Sequence, residues 1–389
     1  MNQALLARVN RIQLIALVLG VGALVATFAG GPGNPRQFFF SYLFAWLFWL
    51  GLSLGCFVLA MIHLLTGGRW GYPTRRFLEA GYLVLPLMLV LLIPVFFGLD
   101  QLYPWARAAE VASEKALQQR HAYSNGAGYI GRQLFFLAVW ILMAACLRAW
   151  SLRQDATADA APSRKARTLS GPGIVIYGLL GTFAAVDWIM SLEKHWYSTM
   201  FGVIVLIGHI LVAYVFSVVL VVLFRRQEPL RDVVRPTHFY QLGNLLLAFV
   251  MFWTYVSFGQ LLIIYSGDLP HELAWYLHRI AGTWRYVIGG VALFHFFLPF
   301  FLLLFRAVKH NVPAMFVLSA MLFLTHIVDT YWLVMPTLHT QGVAVSWMDF
   351  TAPIGVGGLW VSYFLWRLKA APLLPQHDPG LQFAFVYGH

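Results

Sequence analysis

The sequence predicts an all-α polytopic membrane protein of about ten transmembrane helices, and three observations predict it. Of its 389 residues, 60% are hydrophobic and only 11% charged, with a mean hydropathy of +0.72. A soluble domain carries about 25% charged residues. Apolar runs of about 20 residues, the length that crosses a bilayer, recur along the whole chain. The Lys and Arg residues behind the net charge of +11 fall in short clusters between these runs. That is the pattern of topology signals and not of a nucleic-acid-binding patch.

In chain order the runs place helices at 12–29, 38–65, 77–99, 127–150, 172–190, 200–224, 239–266, 283–305, 313–336 and 351–368. MNQALLARVNRIQ leads into the first run with no small-residue cleavage site after it, so that run reads as a retained helix. With alternating crossings, 18 of the 26 Lys and Arg residues lie on the side of the N-terminus. The positive-inside rule then puts both termini in the cytoplasm. The connection 100–126 is external and contains a helix-forming stretch; 151–170 is polar and reads as a flexible cytoplasmic linker. The whole chain reads as one integral membrane domain. A first flanking helix occupies 1–37, a four-helix bundle 38–190, a second bundle 191–336, and a last flanking helix with its tail 337–389.

Ionisable groups inside spans are costly and are functional candidates by default. These are His63, Glu79, Asp187, His209, His295, His326 and Asp329. His326 and Asp329 are three residues apart and share a helix face. A carboxylate beside a histidine can pass protons near neutral pH. By depth the candidates fall into two groups. His209, His295, His326 and Asp329 lie at mid-membrane or in the outer half with Asp187 further out, and His63 and Glu79 lie at the cytoplasmic edge. Thr325, Tyr265 and Tyr331 are the side chains expected to bridge gaps. The plain alternative is that each polar group satisfies a helix–helix hydrogen bond. A b-type haem would need two histidines facing across one cavity, and no widely spaced pair recurs on one helix. Cys56 and Cys146 lie in apolar runs with no CxxC or CxxCH, which excludes a cysteine-held iron–sulfur cluster or c-type haem in this chain. No metal site is expected.

The stretch 184–202, AAVDWIMSLEKHWYSTMFG, closes a helix in an interfacial Trp/Tyr belt. The belt leaves Asp187, Glu193 and His195 unexplained, and with Trp196 they are candidates for proximity to a quinone. DWIMSLEKHWYSTMFG resembles the segment after the fifth helix of the ActF subunit family of bacterial alternative complex III, itself among the NrfD-like, polysulfide-reductase-type membrane subunits. HLLTGGRWGYPTRRFLEA, YPWAR, LSGPG, LLLAFVMFWTYVSFGQLLIIYSGDLP, LFHFFLPFFLLLFR and APIGVGGLW extend the resemblance over nearly the full length. The family usually reads SLEPHWYST, so Lys194 is a departure expected to loosen the turn before His195.

The resemblance implies two four-helix bundles flanked by the first and last helices, in the bacterial cytoplasmic (inner) membrane. It implies a subunit without cofactors of its own in a quinol-oxidising respiratory complex. There, iron–sulfur clusters and c-type haems on other subunits carry the electrons. Implied partners are the sister subunit ActC, iron–sulfur, multihaem cytochrome c and small membrane subunits. A terminal oxidase is a further candidate. The role implied for this chain is a proton path, a quinone-proximal surface or a scaffold, not catalysis alone. Two competing readings remain: a secondary transporter using the same buried His and Asp for ion coupling, and a purely structural anchor. No Gly/Pro-interrupted pair of segments occupies matching positions in two halves, as transporters favour.

Overall fold

The computed structural model describes residues 3–157, 159–375 and 377–378. The last part of the tail, from 379, lies outside the described residues. The fold is all-α, with no strand among the described residues. Its main helices are α1 (Gln3–Gly30), α2 (Pro35–Thr66), α3 (Gly71–Phe97), α4 (Gly126–Thr157) and α5 (Ala161–Trp188). They continue with α6 (Phe201–Phe224), α7 (Pro236–Gly267), α8 (Trp284–Leu304), α9 (Val312–Val334) and α10 (Met348–Lys369).

Local chemistry sets several boundaries. The Asn34 side chain accepts from Gln37 N at 3.2 Å and that of Asn311 from Ala314 N at 3.0 Å, each capping a helix whose first turn holds a proline. α3 is three pieces, Gly71–Tyr82, Leu85–Val90 and Ile93–Phe97. Pro86 and Pro94 have no N–H for the preceding turn, so the helix restarts at each. In α8, Pro299 likewise offers nothing to the carbonyl four residues back, that of His295. The turn Ala292–Phe297 is widened into a π-helix there.

Nine helices among the described residues, α1 to α9, are long and apolar enough to cross a membrane, so the protein is multi-pass. The expected tenth, α10, forms in its expected place but is not apolar enough by itself. It carries Asp349, Arg367 and Lys369 together with Gly, Ser and Pro. It lies antiparallel to α1 along its length: Thr27 donates to Thr351 at 2.8 Å at one end, and Lys369 meets Asn10 and Gln13 at 2.5 and 2.6 Å at the other. A Cβ on Gly358 would fall 2.4 Å from Gly20 Cα, so glycines let the two backbones touch.

The core is centred on α2 and α6, whose apolar windows are 94% and 78% buried. They cross at Gly51 and Gly55, where a Cβ on Gly55 would sit 1.8 Å from the His209 carbonyl oxygen. The helices alternate between two rims. One holds the N-terminus and most of the basic residues, and the other, called here the far rim, holds 100–126 and the turn after α5.

The expected flexible linker is not found. Helix α4 runs on to Thr157 and α5 starts at Ala161. The segment is rich in Ala, Arg, Lys and Gln, which favour helix. Its inner face is also used: Ser151 and Gln154 are buried, Ser163 donates to Gln154 at 2.9 Å, and Asp159 caps Ala161 N at 3.0 Å. Polarity here marks a helical hairpin standing beyond the apolar zone.

Candidate functional site

Four of the sequence candidates come together within the second set of helices. His209 of α6, His326 and Asp329 of α9, and Gly51 of α2 line an enclosed cavity of about 20 Å³, room for about one water. His326 Nδ1 and Asp329 Oδ2 are 3.6 Å apart, one helical turn along α9. The His295 ring stacks on that of His326 at 5.5 Å between centroids and 17° between planes. The widened turn of α8 delivers His295 to this position, and the edge of Trp253 from α7 closes over it at 4.3 Å. His209 Nδ1 is 3.4 Å from the Tyr177 hydroxyl of α5.

All four are buried, His295 completely. Both ring nitrogens of His295 and Nδ1 of His326 have no hydrogen-bond partner among the described residues. Buried polar atoms are normally satisfied, and unsatisfied ones cluster where a site does more than hold a fold. Gly208 gives His326 its room, since a Cβ there would lie 2.9 Å from the ring. No group of three or more metal-ligating side chains occurs among the described residues.

The other candidates lie elsewhere, each in its own network. Asp187, at the far-rim end of α5, is held by Arg132 of α4 through bonds of 2.8 and 3.0 Å and by Gln133 at 2.8 Å, which in turn accepts from Trp188 at 2.6 Å. Glu79, at the opposite rim, accepts from Arg75, Arg76, Arg148 and Ser151 at 3.2, 2.5, 2.7 and 2.6 Å. Asp155 and Asp378 pair with Arg76 and Arg75, so three cations face three carboxylates. His63 contacts the Gly68 carbonyl at 3.2 Å and packs edge-on to Trp70 and Tyr72.

The motif 184–202 divides three ways. Glu193 meets Arg279 and Thr337 at 3.2 and 3.1 Å, tying the turn after α5 to the short helix Pro270–Ile280 and to the end of α9. Trp196 stacks on Trp275 of that helix at 4.6 Å. His195 points outward, 55% exposed and 3.9 Å from Glu114, while Lys194 pairs with Glu110 at 2.5 Å. The chain is extended at Glu193, just before Lys194. Lys194 thus fastens this turn to the 100–126 connection, whose helix-forming stretch is Ala108–Ser113 and Lys115–Arg120. Among the expected bridging groups, Tyr265 is 75% exposed on the outside of α7, and Thr325 is spent on the Met321 carbonyl at 2.8 Å. Tyr331 instead donates to Asp349 at 3.2 Å.

Residue reasoning missed Arg132, Arg279, Tyr177, Trp253 and Asp349. Asp349 is buried and accepts from Ser41 and Gln37 at 2.6 and 2.9 Å, joining α10 to α2. Arg132 was findable, because it is a cation inside the 127–150 span at the rim that holds Asp187. Trp253 and Tyr177 carry no signal apart from the aromatic background.

The fold and these buried groups define a multi-pass α-helical membrane protein with an ionisable cluster inside its helix bundle. No model of a known protein family matches the chain, and no curated protein matches it.

Proposed function

We propose that the chain is a proton-handling integral subunit of a quinol-oxidising respiratory complex of the alternative complex III type. The redox setting rests on the resemblance of 184–202 and the other segments. The proton role rests on His209, His326 and Asp329 lining one small buried cavity, with His295 stacked on His326 and three ring nitrogens of these two histidines unpaired among the described residues. A carboxylate one turn from an imidazole, with a second imidazole stacked behind it, can take up a proton and hand it on when one water and one side-chain rotation complete the contact. A scaffold needs none of this: an apolar core would avoid the cost of unsatisfied polar groups. The same geometry argues against placing Asp187 in the relay, because Arg132 and Gln133 already occupy its carboxylate. Glu193, His195 and Trp196 act in this reading as ties of the far-rim surface.

The test is Asp329→Asn, which keeps size and removes the titrating group. In the assembled complex, quinol oxidation should persist while proton release and build-up of membrane potential fall. Normal coupling in an assembled Asp329→Asn variant would sink the relay and leave the scaffold reading. Neighbouring genes for a multihaem cytochrome and an iron–sulfur subunit support the redox setting, and a solitary gene favours the transporter.

A further inference from the structure

On the far rim a cleft of about 480 Å³ opens between the 100–126 connection and the end of α5. That is the size of a small-molecule site. Its walls are aromatic: Trp105, Tyr123, Trp196 and Tyr197. Two guanidinium groups reach it, and they differ in state. Arg132 is neutralised by Asp187 and lies 3.7 Å over the Tyr123 ring. Arg120 makes no ion pair among the described residues. It reaches the Lys194 carbonyl at 3.5 Å and sits 6.0 Å from the Tyr197 ring centre. Ser124 and Ser191 add hydroxyls beside these cations.

The floor of the cleft is Val186 and Met190. Val186 continues a stripe on α5 that emerges into the apolar zone as Val175, Leu179 and Phe183, each more than half exposed, and Met190 stands in the short turn Met190–Leu192 just past the helix. The spacing of three and four residues puts the four helical positions on one helix face. An uncompensated cation in an aromatic interface belt therefore stands at the head of an apolar track leading into the hydrocarbon.

We propose that this cleft binds a phospholipid, with its phosphate on Arg120 and one acyl chain along the α5 stripe. The two ends of the site ask for one amphiphile with an anionic head. A neutral ring would fill the aromatic walls and leave the Arg120 charge unmatched, whereas a soluble anion would leave the stripe unused.

The delipidated full-length chain in detergent is titrated with phosphatidylglycerol, and bound lipid is counted by native mass spectrometry. One lipid per chain should bind ahead of the rest. Arg120→Gln, at an exposed position that folding tolerates, should weaken that binding about tenfold, the scale of one charge-assisted hydrogen bond. Met190→Trp should weaken it too while Arg120 stays in place. Equal binding to wild type and Arg120→Gln overturns the proposal. So does release of the lipid by millimolar inorganic phosphate, which would mark a site for free anions. Displacement by a short-chain quinone would reassign the cleft to a neutral ring and overturn it as well.

Discussion

Asp187 and Asp329 show how a side chain's partner decides what its charge is for. Both are buried carboxylates in spanning helices, and both read from the sequence as proton carriers. Asp187 has a bidentate guanidinium and an amide on its oxygens. Asp329 has an imidazole at 3.6 Å and a cavity. The difference comes from Arg132, on another helix 55 residues away in the chain, so it shows only when the cations of neighbouring spans at the same rim are considered with Asp187. The pair makes a separate prediction. Arg132→Ala leaves a buried carboxylate without its counter-charge and should cost about 3–5 kcal/mol. Removing both, Arg132→Ala with Asp187→Ala, should recover much of that loss. Thermal unfolding of the detergent-purified variants measures it, and additive losses in the double variant would contradict the pairing.

The helices themselves were legible because each apolar run has a definite length; the caps at Asn34 and Asn311 that fix their ends emerge only in the fold. Their interruptions were legible only in part. Pro86, Pro94 and Pro299 announce breaks, but a proline does not say whether the chain restarts, as in α3, or widens, as in α8. The hairpin of α4 and α5 was hidden for the opposite reason. Its polar residues Ser151 and Asp155 face Glu79 and the arginines around it, so polarity there reflects a charged helical surface and not looseness. The interrupted helices are the second of one set of four, α2 to α5, and the third of the other, α6 to α9, so they do not occupy matching positions. The widened turn carries a prediction of its own. Pro299→Ala restores an N–H facing the His295 carbonyl and allows a regular helix through 292–299. Stability should change by no more than about 1 kcal/mol or rise slightly, since alanine is the better helix former. Coupled proton movement should fall, because His295 turns away from His326. Full coupling in Pro299→Ala would mean that the π-turn does not position the histidine.

For the molecule as a whole, the antiparallel pairing of α1 and α10 brings the two ends of the described chain to one rim. Lys369 is held by Asn10 and Gln13, and the tail continues over the same rim to Asp378, which pairs with Arg75. α10 is too polar to be recognised alone as a span, yet it matches α1 turn for turn through Gly20 and Gly358. It must therefore share the depth of α1 in the bilayer. Which rim faces the cytoplasm is a matter of charge. The rim of the N-terminus holds 18 of the 26 Lys and Arg residues, and such residues in short connections are retained on the cytoplasmic side. The three carboxylates of the Glu79 network do not weaken this bias, because acidic residues contribute little to orientation. A reporter active only in the cytoplasm should thus be active when fused after Lys369 and silent when inserted within 108–120, on the far rim. The paired measurement separates two errors. Activity at both sites would mean that the chain crosses an even number of times between them, against the seven up-and-down crossings of α4 to α10. Activity at 108–120 alone would leave the fold intact and invert it, placing the open mouth of the far-rim cleft on the cytoplasmic side.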